Sequence, residues 1–254
     1  TSALRLAASS ATLPASFLGF GKFVLTLFNF KLLFTIFHLG NIYFIHKILS
    51  KISPKKTLLG VVYYAFNPLI LIESLVSPHN EVVMLFFLLW AIYFMIIKKN
   101  HLTVLIFLFL SAGIKFITII LLPIFLLFSP GRSPFGHLPG VAKRLLEGES
   151  WLKLIFFLLI PPLLYEIYLR EPYSWYFIPI IGIGALLIKY TKINILVAGV
   201  SLGALLRYAP FLYTGKYSQS IRNTQDLVFL ITIALTIFII VSQSVVRKAI
   251  NNKS

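Results

Sequence analysis

The sequence predicts an all-α fold: a polytopic membrane helical bundle with about seven spans plus a broken, re-entrant helical hairpin. Three observations carry this. Of 254 residues, 59% are apolar, 24 Phe and 12 Tyr among them, and only 12% are charged, whereas a soluble domain carries about 25% charged residues and under half apolar ones. The 23 Lys and Arg outnumber 7 Asp and Glu, a formal net charge of +16. These charges fall between long apolar runs and not along one face, which excludes nucleic acid as the partner and leaves membrane lipid beside short basic loops. The runs themselves have the length of a bilayer-crossing helix, about 20 residues. Absence of Cys excludes disulfides and thiolate metal sites.

Residues 1–29 read as an interfacial lead-in segment, because Ser, Pro, Gly and Lys22 interrupt their apolar stretch. A signal peptide fits less well, with only Arg5 for its basic region. Residues 30–254 read as a single transmembrane helical domain. Its runs occupy 30–50, 57–76, 82–97, 101–128, 151–169, 175–188, 193–213 and 227–246. The connection 129–150 opens with Pro and Gly and continues as a short basic helical piece at 141–147. The chain opens on Thr1 in an already interrupted stretch, so a fragment of a longer protein, truncated at its N-terminus, is expected.

Loop charges orient the spans. If 101–128 crosses once, basic residues spread almost evenly over both sides. If it breaks at Ala112-Gly113-Ile114-Lys115 and returns, one side collects Lys47, Lys51, Lys55, Lys56, Lys98, Lys99, Arg132, Lys143, Arg144, Lys189, Lys192, Arg247, Lys248 and Lys253. The other side keeps Arg170, Lys216 and Arg222. That asymmetry favours the hairpin. Each arm is then about 18–20 Å long, too short to cross, and its tip needs protein or water around it. A polar cleft on the outer face follows.

Ionisable groups inside apolar runs are costly and usually face a cavity or a partner. Glu73 stands in such a run, after the Asn67-Pro68 interruption, and reads either as a functional carboxylate or as one that reaches up to water. His79, Asn80 and Glu81 follow in a loop without Lys or Arg; Asn before Glu is also an ordinary helix start. Lys115 at the hairpin tip suits an anionic head group, phosphate above all, or is held by a membrane carboxylate such as Glu73. Arg207 in LLRYAPFLYTG either snorkels or holds phosphate with its planar fork. Trp175 and Tyr176 in EPYSWYF fit an interfacial aromatic belt as well as a binding surface. Gly199 and Gly203 read as helix packing only. Glu73, His79, Asn80, Glu81, Lys115, Trp175, Tyr176 and Arg207 all fall on one side once loop charges alone fix the topology, which argues for one outward-facing site.

The stretches 67–81, 112–123, 174–176 and 207–215 together resemble polytopic glycosyltransferases of the C-type superfold, and most closely polyprenol-phosphomannose-dependent mannosyltransferases. That resemblance implies transfer of a mannose-like hexose from a polyprenyl-phosphate carrier, the lipid-linked sugar donor, to a glycan or lipid acceptor on the outer face of a bacterial plasma membrane. It implies catalytic roles for Glu73 and Glu81 and substrate-binding roles for His79, Asn80, Lys115, Trp175, Tyr176 and Arg207, with the two cations near the carrier phosphate. Two departures stand out. Glu81 replaces the Asp usual after His-Asn, and nothing before Glu73 is acidic, whereas relatives hold an essential acid in a first outer loop, which would place the general base outside this sequence.

The implied reaction is an inverting displacement at the anomeric carbon. The sugar arrives already activated in the membrane, so no Gly-rich phosphate loop is needed. No cofactor is expected; a divalent metal held by His79 and Glu81 is a weak option, since two candidate ligands make a poor site. A transporter or flippase for a lipid-linked or anionic solute is the alternative, favoured by a broken hairpin with a lysine tip but not by any internal pseudo-symmetry. A scaffold subunit whose polar residues join helices is the third reading.

Overall fold

A computed structural model describes residues 21–98, 100–127 and 150–251, and no strand occurs among the described residues. The connection expected at 129–150, with its basic piece, lies outside the described residues except for Ser150, as do residues 1–20. α1 (Lys22–Ile52) is a continuous helix of 31 residues. It passes position 30 without a break, so residues 22–29 are the opening turns of the span itself.

A 3-10 turn (Pro54–Lys56) leads into α2 (Thr57–Ala65). Asn67 then caps α3 (Pro68–Leu71), its side-chain oxygen accepting from the N–H groups of Leu69 at 3.0 Å and Ile70 at 3.3 Å. Pro68 takes the first helical position, where a missing N–H costs nothing. The chain bends by 51° here. α3 continues as a π turn (Ile72–Val76) whose wider i→i+5 bonding turns Glu73 and Ser74 into the protein, where both are fully buried.

α4 (Glu81–Tyr93) ends in a second π turn (Phe94–Lys98). α5 (His101–Ile114), capped by the Asn100 side chain, stops at Lys115, whose backbone is extended. A 3-10 stretch (Phe116–Leu121) and α6 (Leu122–Leu127) follow, and both pack on α5. The chain therefore doubles back at Lys115, where the sequence placed the turn. Gly113 itself stays helical, with open space where a Cβ would be.

α7 (Ser150–Leu158) and α8 (Ile160–Leu169) form one span; a 3-10 turn (Ser174–Phe177) and α9 (Ile178–Leu186) return. α10 (Thr191–Leu206), the short α11 (Ala209–Thr214) and α12 (Gln219–Asn251) complete the chain. Among the described residues four helices are long and apolar enough to cross a membrane, and a fifth is added if the bent pair at Asn67 counts as one span. The runs expected at 82–97, 101–128 and 175–188 fold as shorter helices, so length and apolarity do not reach the expected seven.

α9 is the centre of the bundle. All nine of its residues are buried, and it packs on α1, α2, α4, α7 and α10. Such close approach needs small residues: a Cβ at Gly182 would strike Leu85, and one at Gly184 would strike Val197. Gly199 and Gly203 do the same for α10 on α12, facing Thr236 and Phe229, as their spacing predicts. α1 and α12 lie at the rim and expose apolar rows to lipid.

Candidate functional site

The helices packed round α9 bring several of their ends to one side of the bundle, and the polar side chains collect there. Glu73, on the π turn, is fully enclosed. The Tyr208 hydroxyl, from the break between α10 and α11, donates to its Oε1. His79 Nδ1 stands 3.0 Å from its Oε2, but no aligned hydrogen bond joins the two atoms. The peptide N–H of His79 donates to the Glu73 carbonyl at 3.0 Å, which folds the loop back on the π turn.

His79 in turn stacks on Trp175, with ring centroids 3.9 Å apart and planes within 10°, and Trp175 stacks on Tyr173 at 4.5 Å and 6°. Two parallel rings that near cannot share one face of an indole, so Trp175 is sandwiched. Neither of its faces is open to a sugar. Tyr176 points to the hairpin instead. The Lys115 ammonium lies 3.8 Å from the Tyr176 ring centroid and 2.9 Å from Glu81 Oε1. Lysine 115 is thus held by a membrane carboxylate as one reading predicted, although by Glu81 and not by Glu73. Asn80 starts α4 with an exposed side chain that makes no cap bond.

Six of the eight expected residues, namely Glu73, His79, Glu81, Lys115, Trp175 and Tyr176, are therefore linked by direct contacts from four separate parts of the chain. Asn80 is beside them but turned outward. Arg207 joins only indirectly. Its Nε and Nη2 donate to Asp226 Oδ1 at 3.2 and 2.5 Å, and its Nη1 donates to the Pro172 carbonyl at 3.0 Å.

Sequence reasoning did not single out Tyr208, Tyr173, Glu171 or Asp226. Tyr208 had a readable signal, a hydroxyl directly after a charge inside an apolar run. Asp226 had none, because the polar stretch before residue 227 reads as a loop and is in fact the first two turns of α12. Every carboxylate of the described residues lies at this end beside a cation or an imidazole: Glu73 with His79, Glu81 with Lys115, Glu166 with Arg170, Glu171 with Arg222 and Asp226 with Arg207. Beyond the spans, burial and then the Glu171 carboxylate push the Tyr217 hydroxyl above its ordinary value. The far end carries Lys56, Lys153 and Lys189, with Lys153 over the Tyr190 ring at 3.9 Å. Among the described residues no group of three or more His, Asp or Glu side chains could hold a metal ion.

Residues 13–130 match the family model described as alpha-(1->6)-mannopyranosyltransferase, N-terminal domain. The match supports a mannosyltransferase family. No curated protein and no solved structure matches the chain. With the long apolar helices, the match points to an integral-membrane glycosyltransferase. The matched stretch includes Glu73, His79, Asn80, Glu81 and Lys115. Trp175, Tyr176 and Arg207 fall beyond it, and the match says nothing of them.

Proposed function

We propose that this chain belongs to an enzyme that transfers mannose, or a hexose like it, from a polyprenyl-phosphate carrier to a glycan or lipid acceptor on the outer face of the membrane. The observation that supports it is the Lys115 ammonium at the tip of the hairpin, flanked by Glu81 and the Tyr176 ring, within a stretch similar to mannosyltransferases. An ammonium at a turn short of the full bilayer thickness meets a lipid-borne phosphate at the depth where such a phosphate sits.

Glycosyl transfer at that point forms a bond from the acceptor oxygen to the anomeric carbon and breaks the bond from that carbon to the carrier phosphate. The acceptor proton passes to a carboxylate, and the bonding electrons leave with the phosphate. Lys115 stabilises the departing phosphate. Glu81, less enclosed than Glu73 and adjacent to that cation, receives the proton in place of the earlier-loop acid that the resemblance implies; Glu73, fixed by Tyr208, orients His79. Asn80, exposed beside Glu81, faces the acceptor side, while His79 and Trp175, stacked on each other, hold the loop and the strap in place behind it. Before donor binding Glu81 neutralises Lys115.

The test is transfer of labelled mannose from polyprenyl-phosphate-mannose by membranes containing the full-length protein. Lys115→Ala and Glu81→Gln are expected to abolish transfer while membrane insertion is retained. Wild-type turnover in both variants would end the assignment.

A further inference from the structure

The strap 170–177 joins α8 to α9 and carries Tyr173, Trp175 and Tyr176. It is tied down at every second residue or closer. Glu171 accepts from Arg222 Nη1 at 3.0 Å and from the Tyr217 hydroxyl at 3.3 Å. The Pro172 carbonyl accepts from Arg207, and the Ser174 hydroxyl donates to the Ala204 carbonyl at 3.0 Å. Arg207 and Tyr208 are consecutive at the break between α10 and α11, and the break sends them in different directions: Arg207 to the strap and α12, Tyr208 to Glu73.

Arg207 has five N–H donors, and the pair on its Nε edge is spent on Asp226. That edge is one of the two on which a guanidinium grips a phosphate, and Nη1 on the other already donates to the Pro172 carbonyl. Its side chain is 7% exposed, and that of Asp226 is 46% exposed. The guanidinium is therefore committed to the protein, while its carboxylate partner reaches it from the water side.

We infer that Asp226 and Arg207 are a positioning pair: they hold the strap, and through it the His79, Trp175 and Tyr173 stack, in register with Glu73, and neither binds the carrier. This rests on the sugar-transfer reading only for what the stack is held to serve. Glu171 and Arg222 are the second tie of the same clamp. Releasing one tie frees the indole from its sandwich and leaves the Lys115–Glu81 pair of the hairpin in place.

The full-length protein in lipid nanodiscs, with every tryptophan except Trp175 replaced by Phe, gives a direct readout by acrylamide quenching. Asp226→Asn and Arg207→Gln are expected to raise the quenching constant about threefold, as a ring closed on both faces opens locally. Asp226→Glu, which keeps the charge, stays near the parent, and so does Lys216→Ala, which lies outside the clamp. Transfer efficiency is expected to fall about tenfold in Asp226→Asn and to recover in Asp226→Glu. Unchanged quenching in both clamp variants overturns the inference whatever the activity does. Raised quenching with unaltered transfer overturns the positioning role. Raised quenching with no transfer even in the parent leaves the clamp standing and removes the sugar-transfer reading. If Asp226→Asn fails to insert, Arg207→Lys decides, since lysine reaches Asp226 or Pro172 but not both and must give an intermediate constant.

Discussion

Removing the charge at the hairpin tip separates a structural lysine from a chemical one. In Lys115→Met the ammonium is lost from Glu81 at 2.9 Å and from the Tyr176 ring at 3.8 Å. Breaking a fully buried pair costs about 3–5 kcal/mol, and an exposed one about 0–1 kcal/mol. The lysine is 22% exposed and the glutamate 7%, which sets the loss at about 2 kcal/mol. The ring contact adds about 0.5–1 kcal/mol. Lys115→Met is therefore expected to lower Tm by about 5–10 °C for a chain of this size. Adding Glu81→Gln removes the stranded carboxylate, so the double variant regains about 2 kcal/mol of that loss. Thermal unfolding in nanodiscs and labelled-sugar transfer are measured on the same four proteins. Stability is expected to return in the double variant while transfer does not. A double variant that recovers both would make the pair a mere joint between helices, and the phosphate role of Lys115 would fall.

Other outcomes follow from the same geometry. Tyr208→Phe deletes the donor to an enclosed carboxylate and is expected to cost about 1–3 kcal/mol in thermal unfolding; a loss below a few tenths would mean that Glu73 is satisfied elsewhere. Gly113→Ala meets open space in a helix and is expected to stabilise by about 0.5–1 kcal/mol, whereas Gly199→Val drives into Thr236 and costs about 1–3 kcal/mol; equal effects in the two would refute the packing assignment. The chain has no Cys, so single cysteines report topology cleanly. Lys216→Cys and Lys192→Cys stand at opposite ends of the span Thr191–Thr214 and are expected to react with a membrane-impermeant maleimide from opposite faces, and labelling from one face would undo the loop-charge orientation.

How much of this was legible in the sequence depends on which force set each feature. Glu73, Glu81 and Lys115 could be found because a charge in an apolar run is expensive wherever it sits, and that cost is readable without knowing the neighbours. The turn at Lys115 could be found because loop charges are counted over the whole chain and only a reversal there separates them. Helix ends were less readable. α12 begins at Gln219, because a helix continues into water through polar residues that an apolar window leaves out, and α1 begins at Lys22, because one Lys, one Thr and one Asn do not break an otherwise apolar helix. The π turn at Ile72–Val76 had no marker at all, yet it decides that Glu73 faces Tyr208 and not lipid.

Arg207 is the instructive case. A lone arginine two turns from the end of an apolar run is chemically open to phosphate, water or carboxylate, and its own neighbours cannot choose among them. The choice was made by Asp226, nineteen residues away on a helix whose polar start looks like a loop. Five carboxylates meeting four cations and one imidazole at one end leave little net charge there to attract a phosphate at long range. Attraction must come from one cation that can leave its carboxylate when a better anion arrives. Arg207 is held by two acceptors on its own and is poorly suited to that exchange. Lys115, with one carboxylate and one ring, gives up less, and the ring contact persists when the anion changes. The division of labour between the two cations thus follows from how many partners each would have to release.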